Sequence, residues 1–444
     1  MTKKLLDTVF DGPVGRRTFL KGAAATAALP ALGALGGTAA AQEAVELTYW
    51  AWTPGDPEMV AEFMKAYPNI KINYQNVGQG GPHYQKLRDA LTAGTGIPDV
   101  AQMEFNSIPS FRALNALADM GQNGANDIKD KFVDWTWKAA SDGDKVYGIP
   151  WDSGPMGLLY REDVFSKSGL SAAPETWDEY AEAAMKIAKD SPGSFITDFV
   201  GAADAGWVAG VLWQKGWRPF HVDGTNITIK LNDQIAKDWA AYWQKLLDAK
   251  AVDTAPAWTA DWFAGFDSGK YASWVCAAWS PVLMISAMKT SVGKWRAAKM
   301  PQWKKGDYIV SNWGGSNFSV FAASQHQKEA TQFAMWMGGN IETAKYWNQK
   351  QYLFPVVKEV LNDPAVLETK FPFYGDQQVN KIFAEAEAHV DPSFEFAPFQ
   401  DYVNTHIQDE FAAAIGGNGT LADAFDRVQD AIVAYAKDQG YTVV

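Results

Sequence analysis

The sequence predicts an α/β protein, and three observations support that fold class. Over residues 45–103, segments that alternate as strands are separated by segments with helical periodicity. The chain has 444 residues, of which 47% are hydrophobic and 20% charged, a composition typical of globular proteins and a length sufficient for two domains. No internal repeat and no low-complexity linker interrupts the pattern. Any boundary between domains is therefore expected to be short and ordered.

A strand–helix–strand unit opens the predicted fold. Residues 45–50 and 70–74 alternate as strands, and between them Asp56 is placed to N-cap a helix with Pro57 at its first position. A second helix and a strand over 99–103 repeat the order. Because strands joined by a crossover helix run side by side, these strands are expected to be parallel. The apolar face of the first helix recurs at helical spacing through Val60, Phe63, Met64 and Tyr67.

Three later helices are predicted, two of them from their capping residues and one from its apolar side. Thr176-x-x-Glu179 is typical of a capping box and opens a helix to about Lys189. A longer helix is predicted over 233–250, and Ser324-x-x-Gln327 is expected to cap another. Helical spacing assigns four tryptophans in these segments to the core, namely Trp177, Trp239, Trp243 and Trp336.

Residues 1–41 have the features of a twin-arginine export signal. Arg16 and Arg17 precede an apolar stretch rich in Ala and Gly, and residues 39–41 offer an Ala-x-Ala cleavage site. Gly15 stands before the arginines, where Ser or Thr is usual. No cysteine follows for lipid attachment, and no later run approaches the ~18 apolar residues of a membrane-spanning helix. We therefore expect a free periplasmic protein without a membrane insertion.

Charge and motifs disfavour several classes of protein. The net charge of −12 disfavours binding to nucleic acid or to anionic membranes. Cys276 is the one cysteine, so neither an intramolecular disulfide nor a cysteine-based metal site can form, and we expect it to be a small buried residue. The five histidines are scattered, and phosphate-loop and hydrolase motifs are missing. The sequence predicts no cofactor and no metal.

Tryptophans on predicted loops, close to acidic residues, are the candidate binding groups. Several of the twenty tryptophans lie close to Gly, Pro or acidic residues where helices and strands break, and four of them are predicted to lie on loops. Glu104 follows a predicted strand, at the edge where open α/β sheets bind ligands, and Asp152 lies next to one of the loop tryptophans. Carboxylates accept hydrogen bonds from sugar hydroxyls, and an indole packs on the C–H face of a pyranose. The combination favours a neutral oligosaccharide. The four loop tryptophans are Trp52, Trp151, Trp279 and Trp313.

The same residues allow other interpretations. Glu104 also suits the start of a helix, where the helix dipole favours an acid, and Asp152 suits a turn before Gly and Pro. Trp151 and Trp313 could equally pack within a hinge. Glu104 and Asp152 could instead be the two carboxylates of a glycoside hydrolase. The residues alone leave these alternatives open.

Four motifs, in their order along the chain, resemble the extracellular solute-binding proteins of carbohydrate-uptake ABC transporters, the maltose-binding-protein group. Each motif alone is weakly specific, but their order covers essentially the whole chain after the export signal. The motifs are YGIPWDSGPMGLLYRED over 147–163, APETWDEY over 173–180, WGGSN over 313–317 and NGTLADAF over 418–425.

The resemblance implies a two-lobed type II periplasmic-binding-protein fold with short hinge crossings. The N-terminal lobe would comprise residues 42–150 plus 317–376, and the C-terminal lobe 151–316 plus 377–444. Hinge closure would clamp a neutral sugar or oligosaccharide, which a membrane ABC permease would then receive, without catalysis. A polyol or a glycerol phosphodiester is the alternative ligand, and we expect a monomer. The residues expected at the cleft are Trp52, Glu104, Asn106, Trp151, Asp152, Trp279, Trp313, Gly314 and Gly315.

Overall fold

Strands and helices alternate along residues 44–444, the part of the chain that this computed structural model describes. The predicted export signal over 1–41 lies outside the described residues. The strands are β1 (Val45–Trp50), β2 (Ile70–Gln75), β3 (Val100–Glu104), β4 (Ser141–Asp142), β5 (Lys145–Val146), β6 (Ile149–Pro150), β7 (Met156–Arg161), β8 (Phe220–Asp223), β9 (Asn226–Ile229), β10 (Ser273–Ala277), β11 (Trp295–Lys299), β12 (Ser316–Val320) and β13 (Thr442–Val443).

Within that same range, none of the helices combines the length and the apolar character that crossing a membrane requires. The α-helices are α1 (Asp56–Ala66), α2 (Gly81–Ala93), α3 (Ile108–Ala113), α4 (Asp134–Ala139), α5 (Glu162–Lys167), α6 (Trp177–Asp190), α7 (Ala205–Gln214), α8 (Gln234–Asp248), α9 (Ala260–Ser268), α10 (Ser280–Ala287), α11 (Gln327–Gly339), α12 (Ile341–Gln351), α13 (Lys358–Leu361), α14 (Pro364–Leu367), α15 (Val379–Glu387), α16 (Gln400–Ile415) and α17 (Leu421–Asp438).

The larger sheet confirms the predicted strand–helix–strand unit. Its strand order is β2-β1-β3-β12-β6, and β1 runs parallel to both β2 and β3. β12 lies antiparallel between β3 and β6, with Ser316 opposite Glu104. The carboxyl ends of the three parallel strands therefore meet at one edge of the sheet, and β3 delivers Glu104 to that edge.

A second, three-stranded sheet has the order β10-β7-β11, with β7 antiparallel to both neighbours. The chain leaves the larger sheet after Pro150 and re-enters it at Ser316. A separate apolar core surrounds the second sheet, while two other clusters surround the first. This topology is compatible with the predicted crossings near 150 and 316. The residue-by-residue division into two lobes stays a prediction.

Capping side chains start α6 and α8 at the predicted places. The Thr176 hydroxyl accepts a hydrogen bond from the Glu179 backbone N–H at 3.2 Å, and the Asp233 carboxylate accepts one from Ala236 at 2.9 Å. The Glu179 carboxylate, however, accepts from the backbone N–H of Glu175 at 2.8 Å rather than from Thr176. Only half of the predicted capping box therefore forms.

The start of α1 differs from the prediction. The N-cap is Gly55, and Asp56 is the first helical residue. Its side chain is fully buried and accepts hydrogen bonds from the Tyr49 hydroxyl at 2.8 Å and from the Thr53 N–H at 3.0 Å. Asp56 thus fastens the helix to β1 and to the preceding turn instead of capping the helix.

The predicted cap of α11 is also wrong. Ser324 donates its hydroxyl hydrogen to Asp99 and accepts from the His326 N–H at 3.1 Å, so it closes a turn before the helix. The helix itself begins at Gln327, after His326, which makes no side-chain cap. The tertiary partner Asp99 competes successfully for the Ser324 hydroxyl that the local pattern assigned to a cap.

Most of the core assignments are confirmed. Trp177, Trp239 and Trp243 are buried, and the last two form one aromatic cluster with Trp207, at centroid distances of 6.1 and 5.1 Å. Cys276 is likewise fully buried, as expected. Trp336 is the exception, because it lies half-buried at the edge of the first core.

We expect Trp239→Ala to lower the free energy of unfolding by about 3–5 kcal/mol, because it opens a cavity among packed indoles. Urea denaturation followed by circular dichroism measures the change. Tyr352→Ala is the control, since that aromatic side chain is 39% exposed and its loss should cost less than about 0.5 kcal/mol. Equal effects of the two substitutions would contradict the assignment of Trp239 to the core.

Candidate functional site

A cavity of about 260 Å³ lies between the carboxyl edge of the larger sheet and helices α7 and α16. Carboxylates, amides and aromatic rings line it, whereas the lining, all within residues 44–444, includes no Lys, Arg or His. Both the larger sheet and the part of the chain that follows Pro150 contribute lining residues, so the cavity lies between them. The lining residues are Gly80, Glu104, Asn106, Ala203, Asp204, Ala205, Gly206, Ala209, Trp213, Asn312, Trp313, Gly314, Phe396, Asn404 and Gln408.

Glu104 enters the cavity from the larger sheet as the last residue of β3. The Tyr84 hydroxyl donates to Glu104 Oε2 at 3.1 Å and accepts from the Glu104 backbone N–H at 2.8 Å, which fixes the side chain. Burial raises the pKa of Glu104 to about 7, with a further rise from the nearby charge of Asp204 and an opposing effect from the Tyr84 hydrogen bond. The carboxylate therefore titrates near neutral pH.

Asp204 enters from the opposite side, at the N-cap of α7. Its carboxylate accepts from the Gly206 N–H at 2.8 Å and from the Trp207 N–H at 3.3 Å. Burial raises the pKa of Asp204 to about 6, while these backbone donors and the Trp313 indole oppose the rise. A negative charge at a helix N-terminus is favoured by the helix dipole. The cavity thus carries one fixed carboxylate on each side.

Trp313 supplies the aromatic wall next to Asp204. A Cβ added to Gly206 would lie 3.0 Å from Trp313 Nε1, so the glycine lets the indole lie against the start of α7. Behind it, the Trp279 indole N–H donates to the Trp313 carbonyl at 2.6 Å, and the two rings meet edge to face at 4.7 Å. Trp313 therefore lines the cavity, and Trp279 supports it from behind.

The chain segments 151–156 and 311–316 pair closely beneath the cavity, and we call this pairing the crossing seam. The backbone N–H of Trp151 donates to Ser316 at 2.9 Å, and that of Trp313 donates to Gly154 at 2.8 Å. A Cβ on Gly154 would lie 2.0 Å from the Trp313 carbonyl oxygen, so only glycine fits there. Gly315 has a φ of 87°, which likewise favours glycine.

Asp152 lies in the crossing seam rather than at the cavity. Its Oδ1 accepts the Ser316 N–H at 2.8 Å, and the side chain is only 6% exposed. Burial raises the pKa of Asp152 to about 7; the Ser316 hydrogen bond opposes this, and the charge of Glu104 adds to it. The carboxylate is therefore enclosed and already partnered, and it is not among the residues that line the cavity.

Two of the loop tryptophans, Trp151 and Trp52, are not among the residues that line the cavity. The Trp151 ring stacks on Phe318 at 4.7 Å and meets Trp347 edge-on at 4.8 Å, in the core of the larger sheet. Trp52 is half-buried, with its ring edge-on to His83 at 4.9 Å. The Trp151 ring is therefore enclosed by protein, whereas the Trp52 ring is only partly covered. Of the nine predicted site residues, the structure gathers Glu104, Asn106, Trp313 and Gly314 at the cavity and leaves out Trp52, Trp151, Asp152, Trp279 and Gly315.

Helix α16 contributes cavity residues that the sequence analysis missed. Asn404 and Gln408 are four residues apart and therefore lie on one helix face. Gln400 donates to Asn404 Oδ1 at 2.8 Å, and Gln408 donates to the Ala203 carbonyl, which positions both amides. In the sequence, two amide side chains four residues apart are only a weak indication of a binding site. The N-cap Asp204 was missed as well, although an Asp before Ala-Gly-Trp favours a helix start.

A buried glutamate lies behind the crossing seam. Glu387, the last residue of α15, is 2% exposed and accepts hydrogen bonds from the Trp135 indole at 2.9 Å and from the Ser153 hydroxyl at 3.0 Å. Burial raises the pKa of Glu387 to about 8; the two donors oppose the rise, and the charge of Asp152 adds to it.

In the described part of the chain, no group of three His, Cys, Asp or Glu residues is arranged to hold a metal ion.

Comparison with known proteins decides the family. Residues 49–344 match the model of the bacterial extracellular solute-binding proteins. The chain belongs to this family. An arabinooligosaccharide-binding protein from Bacillus subtilis (strain 168) is 27% identical to this solute-binding protein over 400 residues, covering 86% of this chain and 90% of that one.

Solved structures agree with the two-lobed fold of this solute-binding protein. The ABC transporter associated binding protein from B. animalis subsp. lactis Bl-04, in complex with β-1,6-galactobiose, is 31% identical with a TM-score of 0.80, covering 90% of this chain and 99% of that one. The galacto-N-biose-/lacto-N-biose I-binding protein from Bifidobacterium longum, in complex with lacto-N-biose, is 27% identical with a TM-score of 0.79, covering 90% and 99%. The predicted type II periplasmic-binding-protein fold is confirmed.

We expect the stability of this protein to fall between about pH 4.5 and pH 8 because of Glu387. The unfolded chain releases this proton near the ordinary pKa of 4.5, whereas the folded pKa is about 8, so the folded state keeps a proton that the unfolded state has lost. Glu387→Gln should remove this contribution, which is on the order of a few kcal/mol. The variant should therefore gain stability over the parent as the pH rises.

Urea denaturation at a series of pH values from 4.5 to 8.5 measures this difference. Glu385→Gln is the matched control, because Glu385 lies on the same helix with its side chain 49% exposed. The control should follow the parent curve. If the Glu387→Gln curve also ran parallel to the parent curve, Glu387 would not be the group that takes up the proton.

Proposed function

We propose that this solute-binding protein captures a neutral oligosaccharide in its cavity and delivers it to the membrane permease of an ABC importer. One observation carries the proposal: the lining offers carboxylates, amides and an indole wall but no basic side chain. Sugar hydroxyls need acceptors and mixed donor–acceptor groups, and their rings need an apolar face. The sugars bound by the related proteins support the same class of ligand.

Each group in the cavity has a distinct part in the proposed binding. Glu104 and Asp204, from opposite sides, accept charge-assisted hydrogen bonds from hydroxyl groups. The amides of Asn404 and Gln408 donate and accept, so they suit hydroxyls of either orientation. Trp313 provides dispersion contact to the C–H face of a ring. A phosphate-bearing ligand lacks a cationic partner here, which disfavours a glycerol phosphodiester; a polyol would lack the ring that Trp313 favours.

Closure around the ligand is part of the proposal. The cavity walls come from the end of β3 on one side and from helices α7 and α16 on the other, and the short, glycine-containing segments of the crossing seam lie between them. Arg88 of α2 forms an ion pair with Asp401 of α16. This pair links a helix beside the larger sheet to a helix of the second core. The ion pair would stabilise the closed state, because it would be absent from the open state.

A glycoside hydrolase is less well supported. The pair considered from sequence, Glu104 and Asp152, does not face the cavity together, since Asp152 is enclosed in the crossing seam. We infer that the protein is not an enzyme.

We also propose, from Arg16, Arg17 and the following apolar stretch, that it is exported by the twin-arginine route to the periplasm, without a lipid anchor, and acts as a monomer.

Glu104→Gln and Asp204→Asn should each weaken sugar binding by roughly ten- to a hundredfold, because a hydrogen bond to a charged group contributes about 1.5–3 kcal/mol. Calorimetric titration with arabino- and galacto-oligosaccharides measures the affinity. Asp190→Asn, a change of the same type on α6 and outside the cavity lining, is the control and should bind as the parent does. Failure of the parent to bind any sugar, with binding of an amino acid or polyamine, would refute the proposed function.

The same sugars, incubated with the protein and analysed for released fragments, test the hydrolase alternative. We expect no turnover. Hydrolysis that is lost in the Glu104→Gln variant would show that the protein is an enzyme.

Asp401→Asn should weaken binding of every ligand by roughly two- to fivefold, because a partly exposed ion pair contributes up to about 1 kcal/mol. The loss should shrink at high salt, where exposed charges are screened. Titrations at low and high ionic strength check both effects. The ion pair Lys186–Asp190, at 2.7 Å, lies within α6 and connects no two elements, so it is the control. Asp190→Asn should therefore show no salt-dependent loss of affinity. A salt-independent loss in Asp401→Asn would argue against an ionic contact that holds the closed state.

A further inference from the structure

Trp258 is the one tryptophan of the twenty with an exposed side chain, and all twenty lie in the described part of the chain. Its side chain is 37% exposed. Its φ is 66°, in the left-handed region that bulky residues rarely adopt. Glycine or asparagine would fit this backbone with less strain. A strained, exposed indole beside a binding cavity calls for an explanation beyond ordinary packing.

The loop that carries Trp258 is held at both ends. The buried Asp198 carboxylate accepts the Ala255 N–H and the Trp262 indole N–H, each at 3.0 Å. The Thr259 hydroxyl accepts the Trp262 backbone N–H at 3.1 Å and caps α9. These bonds fix the backbone on either side of Trp258. The chain that carries the indole is therefore anchored on both sides of Trp258.

Trp258 also extends the aromatic wall of the cavity toward the surface. Its ring centroid lies 5.9 Å from that of Trp313, which lines the cavity, and 6.3 Å from that of Trp279. Trp262 and Trp274 support it from the core side at 5.1 and 6.0 Å. The indoles thus form a continuous layer that begins inside the cavity and ends at an exposed ring.

The size of the cavity sets the length of ligand that it can enclose. Its volume of about 260 Å³ is below the ~300–1,000 Å³ typical of pockets that enclose a drug-sized ligand. A longer sugar chain has to leave the cavity. Trp258, whose ring centroid lies 5.9 Å from that of Trp313, offers an exposed aromatic surface outside the cavity lining.

We propose that Trp258 is the stacking platform of an outer subsite, which selects oligosaccharides long enough to extend beyond the cavity. This inference rests on the proposed function, and it specifies the ligand as a chain rather than a single sugar or a disaccharide. The cavity binds the inner units, and the indole of Trp258 packs against the ring of an outer unit. Packing on the other indoles offsets the strain at Trp258, and its open face remains for the ligand.

Trp258→Asn tests the outer subsite, because asparagine tolerates the left-handed backbone and removes the indole. Calorimetric titration uses arabino- and galacto-oligosaccharides from disaccharide to hexasaccharide. The variant should bind the disaccharide as the parent does and lose roughly two- to tenfold in affinity for the longer chains, the range expected for one aromatic contact. The difference between short and long ligands is the decisive readout.

Tyr352→Asn is the matched control. Tyr352 is also an aromatic residue with a positive φ, 56°, and it is 39% exposed, but its ring lies 6.2 Å from Phe371, whereas Trp258 lies 5.9 Å from the cavity residue Trp313. Its substitution should leave every affinity unchanged. Thermal unfolding of both variants shows whether each remains folded.

Three outcomes would overturn the outer subsite. Equal affinities of variant and parent at all lengths would show that Trp258 only packs, and an equal loss at every length would show that it acts on the cavity itself. A parent that binds disaccharides but no longer chain would exclude an extended ligand. If the parent binds no sugar at all, the proposed function fails first, so the two failures are distinguishable.

Discussion

The close pairing of two chain segments at the crossing seam is the constraint on which the site depends. Gly154 lies so near the Trp313 carbonyl that a methyl group would collide with it, and hydrogen bonds join the segments on both sides. The seam therefore fixes where Trp313 emerges relative to the edge of β3. Because Glu104 ends β3 opposite Ser316, the same pairing sets the indole and the carboxylate against each other. The cavity is a consequence of this backbone register.

Four acidic side chains lie in or near this seam, and burial raises the pKa of each of them. The pKa values of Asp204, Glu104, Asp152 and Glu387 are raised to about 6, 7, 7 and 8. Buried acids of this kind lower stability at high pH, so they are not explained by folding alone. At the cavity, the same property is useful: a weakly solvated carboxylate is a strong acceptor for a hydroxyl group. Asp152 and Glu387, by contrast, use their oxygens to hold the seam.

Local sequence patterns predict the helices, the strands and part of the site. They do not show which of several possible neighbours a side chain contacts in the folded protein. Glu104 could be placed because a parallel strand must end at a binding edge, and Trp313 because it stands in a Gly-rich crossing. Trp151 has the same local signature as Trp313, yet its ring packs against Phe318 in the core of the larger sheet. Asn404 and Gln408 reach the cavity from a helix some 300 residues after Glu104. No local pattern can encode that contact, because it depends on how α16 packs.

The tryptophans show how rigidity and exposure are combined in one site. Trp279 gives its indole N–H to the Trp313 carbonyl, so it cannot donate to a ligand, and its contribution is to stiffen the wall. Trp313 in turn lies against the start of α7, where its indole stabilises the charge of Asp204. An aromatic wall made of such fixed rings loses little conformational entropy when a flat sugar face packs on it. Trp313 and the Trp279 ring that supports it therefore serve one physical requirement, a preorganised apolar surface that stays in place while hydroxyl groups bind the acids and amides beside it.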